Sequence, residues 1–182
     1  MMGFKDLFKK KGAPRLDPLS DLTLSNLKKG YFVDYDLRTW EVTACNYYEF
    51  GEGDVTREWQ LKDDEETIYL ELESDDEQYW SLNRKIPFGR LGSNIKDYIL
   101  ENGDPPDEIV FEGETYYLDE TGAGHFFKDE LEPGQEFIRW SYVDDPGKKL
   151  LDIEQWGEKD FEASVGEQVE EYQFTNILPR EI

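Results

Sequence analysis

Catalysis by a protein needs a nucleophile beside a base, or ligands that converge on a metal, and this chain is poor in both. It contains one histidine, His125, and one cysteine, Cys45. A hydrolase or transferase that works through a nucleophile pairs Ser or Cys with His. His125 lies in Ala123-Gly124-His125-Phe126-Phe127, the pattern of a strand edge, and reads as a structural or surface residue. Cys45, inside an alternating strand, reads as a small packed side chain rather than a reactive thiol. With the N and S ligands of zinc and iron missing, no such site is expected in one chain. The expectation is a protein with no catalytic residues, no cofactor and no metal, and a carboxylate-only enzyme ranks well behind a binding role.

Carboxylates are plentiful instead: 43 Asp and Glu stand against 20 Lys and Arg, for a net charge of −23. They cluster in Asp63-Asp-Glu-Glu66, Asp75-Asp-Glu77 and Asp144-Asp145. None of these has the Asp-x-Asp-x-Asp-Gly spacing of an EF-hand loop, and the simpler reading is solvated hairpin tips. Carboxylate pairs for glycoside hydrolysis are so numerous that none stands out. Gly51-x-Gly53 lacks the third glycine and the helix of a phosphate cradle. A field of this sign repels phosphate backbones, so nucleic acid is not an expected partner.

The aromatic residues carry the strongest pattern. Trp59-Gln-Leu61 leads through an acidic turn to Leu70-Glu71-Leu72-Glu73, and Trp140-Ser-Tyr142 leads likewise to Leu151-Asp152-Ile153-Glu154, each residue 81 positions on (from 59 to 140). This is a duplicated β-hairpin. Trp59 and Trp140 then read either as matching core plugs or as two aromatic walls of a groove between the halves, where a cation could sit over the indoles. Trp156 has no tryptophan at its matching position, Asp75, and is the better candidate for an exposed contact.

The elements that position these residues follow from period-two alternation and turn chemistry. The expected class is mainly β, α+β with little helix: two pseudo-repeated antiparallel β-meanders joined by a short helix, in a sandwich or barrel-like body. The first meander runs over about residues 24–88 and the second over about 107–178, both within one domain of residues 19–182. In the first, Trp40, Val42 and Ala44 share one face of a long strand. In the second, Tyr116–Leu118 and His125–Phe127 are separate strands. Ser93 caps a helix that ends near Asn102-Gly103.

Residues 1–18 differ from the rest. Phe4, Leu7 and Phe8 fall at helical spacing beside Lys9, Lys10 and Lys11, which makes a small basic amphipathic segment, followed by a linker. Such a segment either docks on the body or touches an anionic membrane surface or a partner. No apolar run reaches membrane-spanning length, the lone cysteine fits a reducing compartment, and a cytoplasmic protein with peripheral contact at the inner membrane is expected.

Trp59-x-Leu61 before an acidic strand, Gly113-Glu-Thr-Tyr116, Leu150-Leu-Asp-Ile-Glu154 and Glu162-Ala-Ser-Val-Gly166-Glu-Gln-Val169 occur in that order. Together they resemble the bacterial family called domain of unknown function 4178, over roughly Leu24 to Leu178. The resemblance implies a β-rich cytoplasmic domain whose relatives keep company with membrane-stress proteins of the phage-shock type and with relatives of polyamine-synthesising enzymes. It supplies no catalytic residues to carry over. The leading expectation is a non-catalytic acidic module that binds a basic protein partner. The alternative is a small-ligand domain that takes a polyamine or a divalent cation in an aromatic and acidic groove.

Overall fold

The computed structural model describes residues 21–51, 53–74 and 77–180. Ten strands form two meanders of matching proportions, and an eleventh closes an edge. The first meander comprises β1 (Phe32–Tyr35), β2 (Arg38–Gly51), β3 (Asp54–Lys62), β4 (Thr67–Ser74) and β5 (Gln78–Ile86). The second comprises β6 (Glu108–Phe111), β7 (Glu114–Phe127), β8 (Gln135–Asp144), β9 (Lys149–Gly157) and β10 (Asp160–Val169). Between them lies α1 (Ile95–Asn102), and β11 (Thr175–Leu178) follows. The mainly β class and the two meanders joined by a short helix are therefore present. No helix among the described residues is long and apolar enough to cross a membrane.

The strands pair in the order β11-β1-β2-β3-β4-β5-β10-β9-β8-β7-β6, and β2 also pairs with β7. That extra pairing turns the sheet from β2 round to β7 into a closed circuit. It is possible because β2 and β7 are long and change partners halfway along one edge. β2 pairs with β1 over Arg38–Glu41 and with β7 over Tyr47–Glu49. β7 pairs with β6 over Glu114–Tyr117 and with β2 over His125–Phe127.

The long strands also change faces. Register slips between Val42 and Ala44 on β2, and between Leu118 and Glu120 on β7, the same place in each half. One extra residue in a strand reverses which side of the sheet the following side chains take. Val42 is opposite buried Leu61, but Ala44 is opposite Gln60 on the other face. Trp40, Val42 and Ala44 therefore do not share one face, because the bulge at Thr43 interrupts the alternation.

His125–Phe127 is likewise the far end of β7 and not a separate strand. Gly122 and Gly124 mark close contact with β2. A Cβ on Gly124 would stand 1.9 Å from the Glu49 carbonyl oxygen. The helix is where the spacing places it, but Asn94 occupies the capping position instead of Ser93 and makes no side-chain capping bond. It ends at Gly103, whose φ of 87° is the left-handed conformation that glycine adopts without a Cβ penalty.

Each half has its own apolar core. In the first, Trp40, Trp59, Leu61, Leu70, Leu72 and Leu82 pack beneath Leu24 and Leu27 and against Phe174. In the second, Trp140, Tyr142, Leu151 and Ile153 pack beneath Ile95 and Ile99 of α1. The alternate residues of the same strands point the other way, into the space that the circuit encloses.

Candidate functional site

That enclosed space is polar. β4 and β8 are opposite one another in the circuit, and Arg139 of β8 reaches across it to Glu71 of β4. Its two terminal nitrogens donate to the two carboxylate oxygens at 3.0 and 2.7 Å, a fork-on-fork pair. Its Nε faces Glu154 Oε1 at 3.3 Å and Asp152 Oδ1 at 3.9 Å. The guanidinium carbon lies 4.7 Å from the centre of the Tyr48 ring. Nearby, Glu58 of β3 accepts from Asn46 Nδ2 at 2.6 Å and from the Tyr48 hydroxyl at 3.2 Å.

Four carboxyl groups thus surround one guanidinium, and all five residues are at most 6 % exposed. Charges in such a place cannot all persist without an answering partner. Burial first, then the charge on Glu71, pushes Glu58 up to about 7. Burial also lifts Glu154 to about 7, although Arg139 pulls the other way. Asp152 is raised for the same leading reason. Two polar atoms on the axis of this cluster, Arg139 Nε and Glu154 Oε1, are buried and have no hydrogen-bond partner of good geometry among the described residues.

One end of the lumen is open. A cleft of about 790 Å³ leads in from the side of β3, β4 and β7, and Asp54, Thr56, Glu73, Glu120 and Ser141 line it, with Arg139 at its inner end. Glu73 reaches solvent at the mouth, yet desolvation and the neighbouring Glu71 lift it to about 7. The opposite end is filled with rings. Tyr48, Phe126, Phe137 and Trp156 pack with centroids 4.8–5.5 Å apart. Thr56 and Phe137 are at matching positions of the duplicated hairpins, so this substitution of a ring for a hydroxyl distinguishes the closed end from the open one.

The residues singled out from sequence lie elsewhere or at the margins. Trp59 and Trp140 are buried in separate cores, one per half, where their indole N–H groups donate to the Leu27 carbonyl and to Asp104. They do not wall a common groove. Trp156 is half-buried at the closed end and lines an open groove of about 520 Å³ with His125, Phe137 and Ile138. Phe4, Leu7, Phe8, Lys9, Lys10 and Lys11 lie outside the described residues.

Two of the three acidic turns need correction, at Asp63 and Asp144; Asp75 and Asp76 of the third lie outside the described residues. Asp63 accepts from the backbone N–H groups of Glu65 and Glu66 and is ion-paired with Arg38, and Asp144 accepts from Lys148 and Lys149. Each is the cap that closes its hairpin rather than a solvated tip, because a short turn leaves backbone donors that a carboxylate can answer. Burial works against the charge of Asp144, but these donors outweigh it and hold the carboxyl below its ordinary value.

Sequence reasoning missed the lumen, although a signal for it was present. Glu71 and Glu73 match Asp152 and Glu154, and the place of Glu58 in the first hairpin is held by Arg139 in the second. A basic residue at the one matched position within a set of acids marks a charge pair across the repeat. Among the described residues, no three His, Cys, Asp or Glu side chains are arranged to hold a metal ion.

A family model described as domain of unknown function (DUF4178) matches residues 28–171. An uncharacterized protein of Aquifex aeolicus (strain VF5) is 28 % identical over 183 residues, which cover 98 % of this chain and 100 % of that protein. No solved structure matches the chain.

Proposed function

The chain belongs to the DUF4178 family, whose description assigns no activity, and we propose from the geometry of the lumen that it is a binding domain for an organic polycation of the polyamine class. The observation that supports this reading is the open cleft, whose walls carry Asp54, Glu73 and Glu120 and whose inner end meets buried carboxylates that outnumber their one cation. A flexible chain of ammonium groups joined by methylenes suits such a wall. Its charges answer the carboxylates, and its methylenes cover Phe50 and Ala123. The net charge of −23 raises the local concentration of any cation near the mouth. An organic cation fits better than a bare divalent ion, which needs three or more converging oxygens.

Titration calorimetry with spermidine and the full chain at low salt tests this. Saturable heat is expected, with protons released near neutral pH because a bound cation favours ionised Glu73. Replacing both Glu73 and Glu120 by Gln is expected to weaken binding at least about tenfold, the loss of one or two charge-assisted contacts. No saturable heat at millimolar ligand would sink the reading.

A second reading, an acidic module for a basic protein partner, is supported by a different observation. The groove beside Trp156 sets exposed Ile138 next to that half-buried indole on a strongly acidic body, and aromatic residues are the anchors that protein interfaces use.

A further inference from the structure

The two halves match closely except at their outer edges. β1 and β6 have the same length and the same turn, and the backbone bond from Val42 N to the Tyr31 carbonyl recurs 76 residues on, from Leu118 N to the Asp107 carbonyl. β1, however, is covered. β11 pairs with it antiparallel, Phe32 with Leu178 and Asp34 with Thr175. Ile177 adds to the first core, Asn176 donates to Asp34 at 2.8 Å, and Arg180 lies 3.7 Å from Glu41. β6 ends the sheet, with no described strand beyond it. Glu108 and Val110, which hold the places of Phe32 and Asp34, are exposed, Val110 at 65 %, whereas Phe32 and Asp34 are half-buried.

We propose that the edge of β6 is a strand-addition site, and that its occupant is an extended segment of a partner protein, with basic residues alternating with apolar ones. The inference rests on the protein-partner reading and gives it a place. The molecule itself shows the mode of binding: β11 completes the equivalent edge with Ile177 turned to the core, and Arg180, two residues beyond the strand, stands near Glu41 of β2. An open edge offers unpaired backbone groups in a fixed row, and a strand laid along it satisfies them. Charge selects the chemistry of the occupant. Residues 104–114 hold Asp104, Asp107, Glu108, Glu112 and Glu114 and no Lys or Arg. Arg90 and Lys149 answer Glu112 and Glu114, which leaves Asp107 and Glu108 facing outward beside the strand. A second copy of the chain would set the same acids against them, and like charges across a strand pair repel.

The probe is a short peptide of alternating lysine and isoleucine, with alternating glutamate and isoleucine as control, added to the full chain and read by amide chemical shifts and hydrogen exchange. The basic peptide is expected to protect the outward-facing amides of Glu108 and Val110, and the acidic one is expected to leave them unchanged. Val110→Pro removes an edge N–H and Glu108→Lys reverses the edge charge without touching the backbone. Each is expected to weaken binding at least tenfold. Shifts centred on Trp156 with none on β6 would overturn the edge site while leaving the partner reading in place. No shift at either place removes both. Dimerisation of the free chain that Glu108→Lys abolishes would make the occupant a second copy and overturn the proposal.

Discussion

Glu58 shows how a buried acid settles its charge. In the unfolded chain its carboxyl ionises near 4.5, but in the fold burial and Glu71 move it to about 7. Glu154 behaves alike. Between about pH 4.5 and 7 the folded state therefore holds protons that the unfolded state has lost, so stability falls as pH rises through this window and levels off above it. The acids with lowered values, Asp34, Asp63, Glu66 and Asp144, act in the opposite direction but below their ordinary values, outside the window. The melting temperature by calorimetry is expected to be higher near pH 5 than near pH 8. Glu58→Gln keeps an acceptor for Asn46 and turns a donor to the Tyr48 oxygen, so it is expected to flatten this slope and raise stability near pH 8. A slope as steep as that of the unaltered chain would show that Glu58 does not carry it.

The long strands β2 and β7 make the enclosed space. Each must face its own apolar core at its first half and the polar lumen at its second, and the bulges at Thr43 and Asp119 make that switch. The two strands then cross so closely that β7 has no room for a side chain at Gly124, where the obstruction is backbone. Backbone cannot turn aside as a flexible side chain can, so Gly124→Ala is expected to cost at least about 2 kcal/mol in urea unfolding, the usual scale of overpacking. Gly134→Ala is the comparison, because there a Cβ would meet the Phe127 ring and the His125 Cβ, side-chain atoms that can shift more readily. Equal losses at the two sites would contradict the account of the β2–β7 crossing.

Across the whole molecule, the two apolar cores do not touch the joint between the halves in the same way that Arg139 does. Arg139 binds Glu71 of the other half and faces Asp152 and Glu154 of its own. Replacing a buried pair by apolar residues can be neutral, but removing one partner strands the other. Arg139→Met is therefore expected to lower unfolding free energy by about 3–5 kcal/mol near pH 8. The deficit should shrink near pH 5, where the stranded carboxyls take up protons. A deficit independent of pH would assign the loss to packing instead of charge.

The alternation of Leu70, Leu72, Leu151 and Ile153 with acids, the turn residues and the repeated Trp hairpin determined by themselves that the chain is two β-meanders joined by a short helix, because period and turn chemistry are local properties. They also held the matched pairs of acids. What only the tertiary structure decided is where the acidic face goes. An alternating strand has the same pattern whether its polar face meets water or another strand's polar face, so nothing local shows that Glu71 and Glu154 are enclosed. The β2–β7 pairing is similarly hidden, since nothing local to Gly122 and Gly124 shows that a second strand lies across them. The core placement of Trp59 and Trp140, rather than a shared groove, follows from the same closure. Each half buries its own tryptophan, and the polar faces are left to meet in the middle.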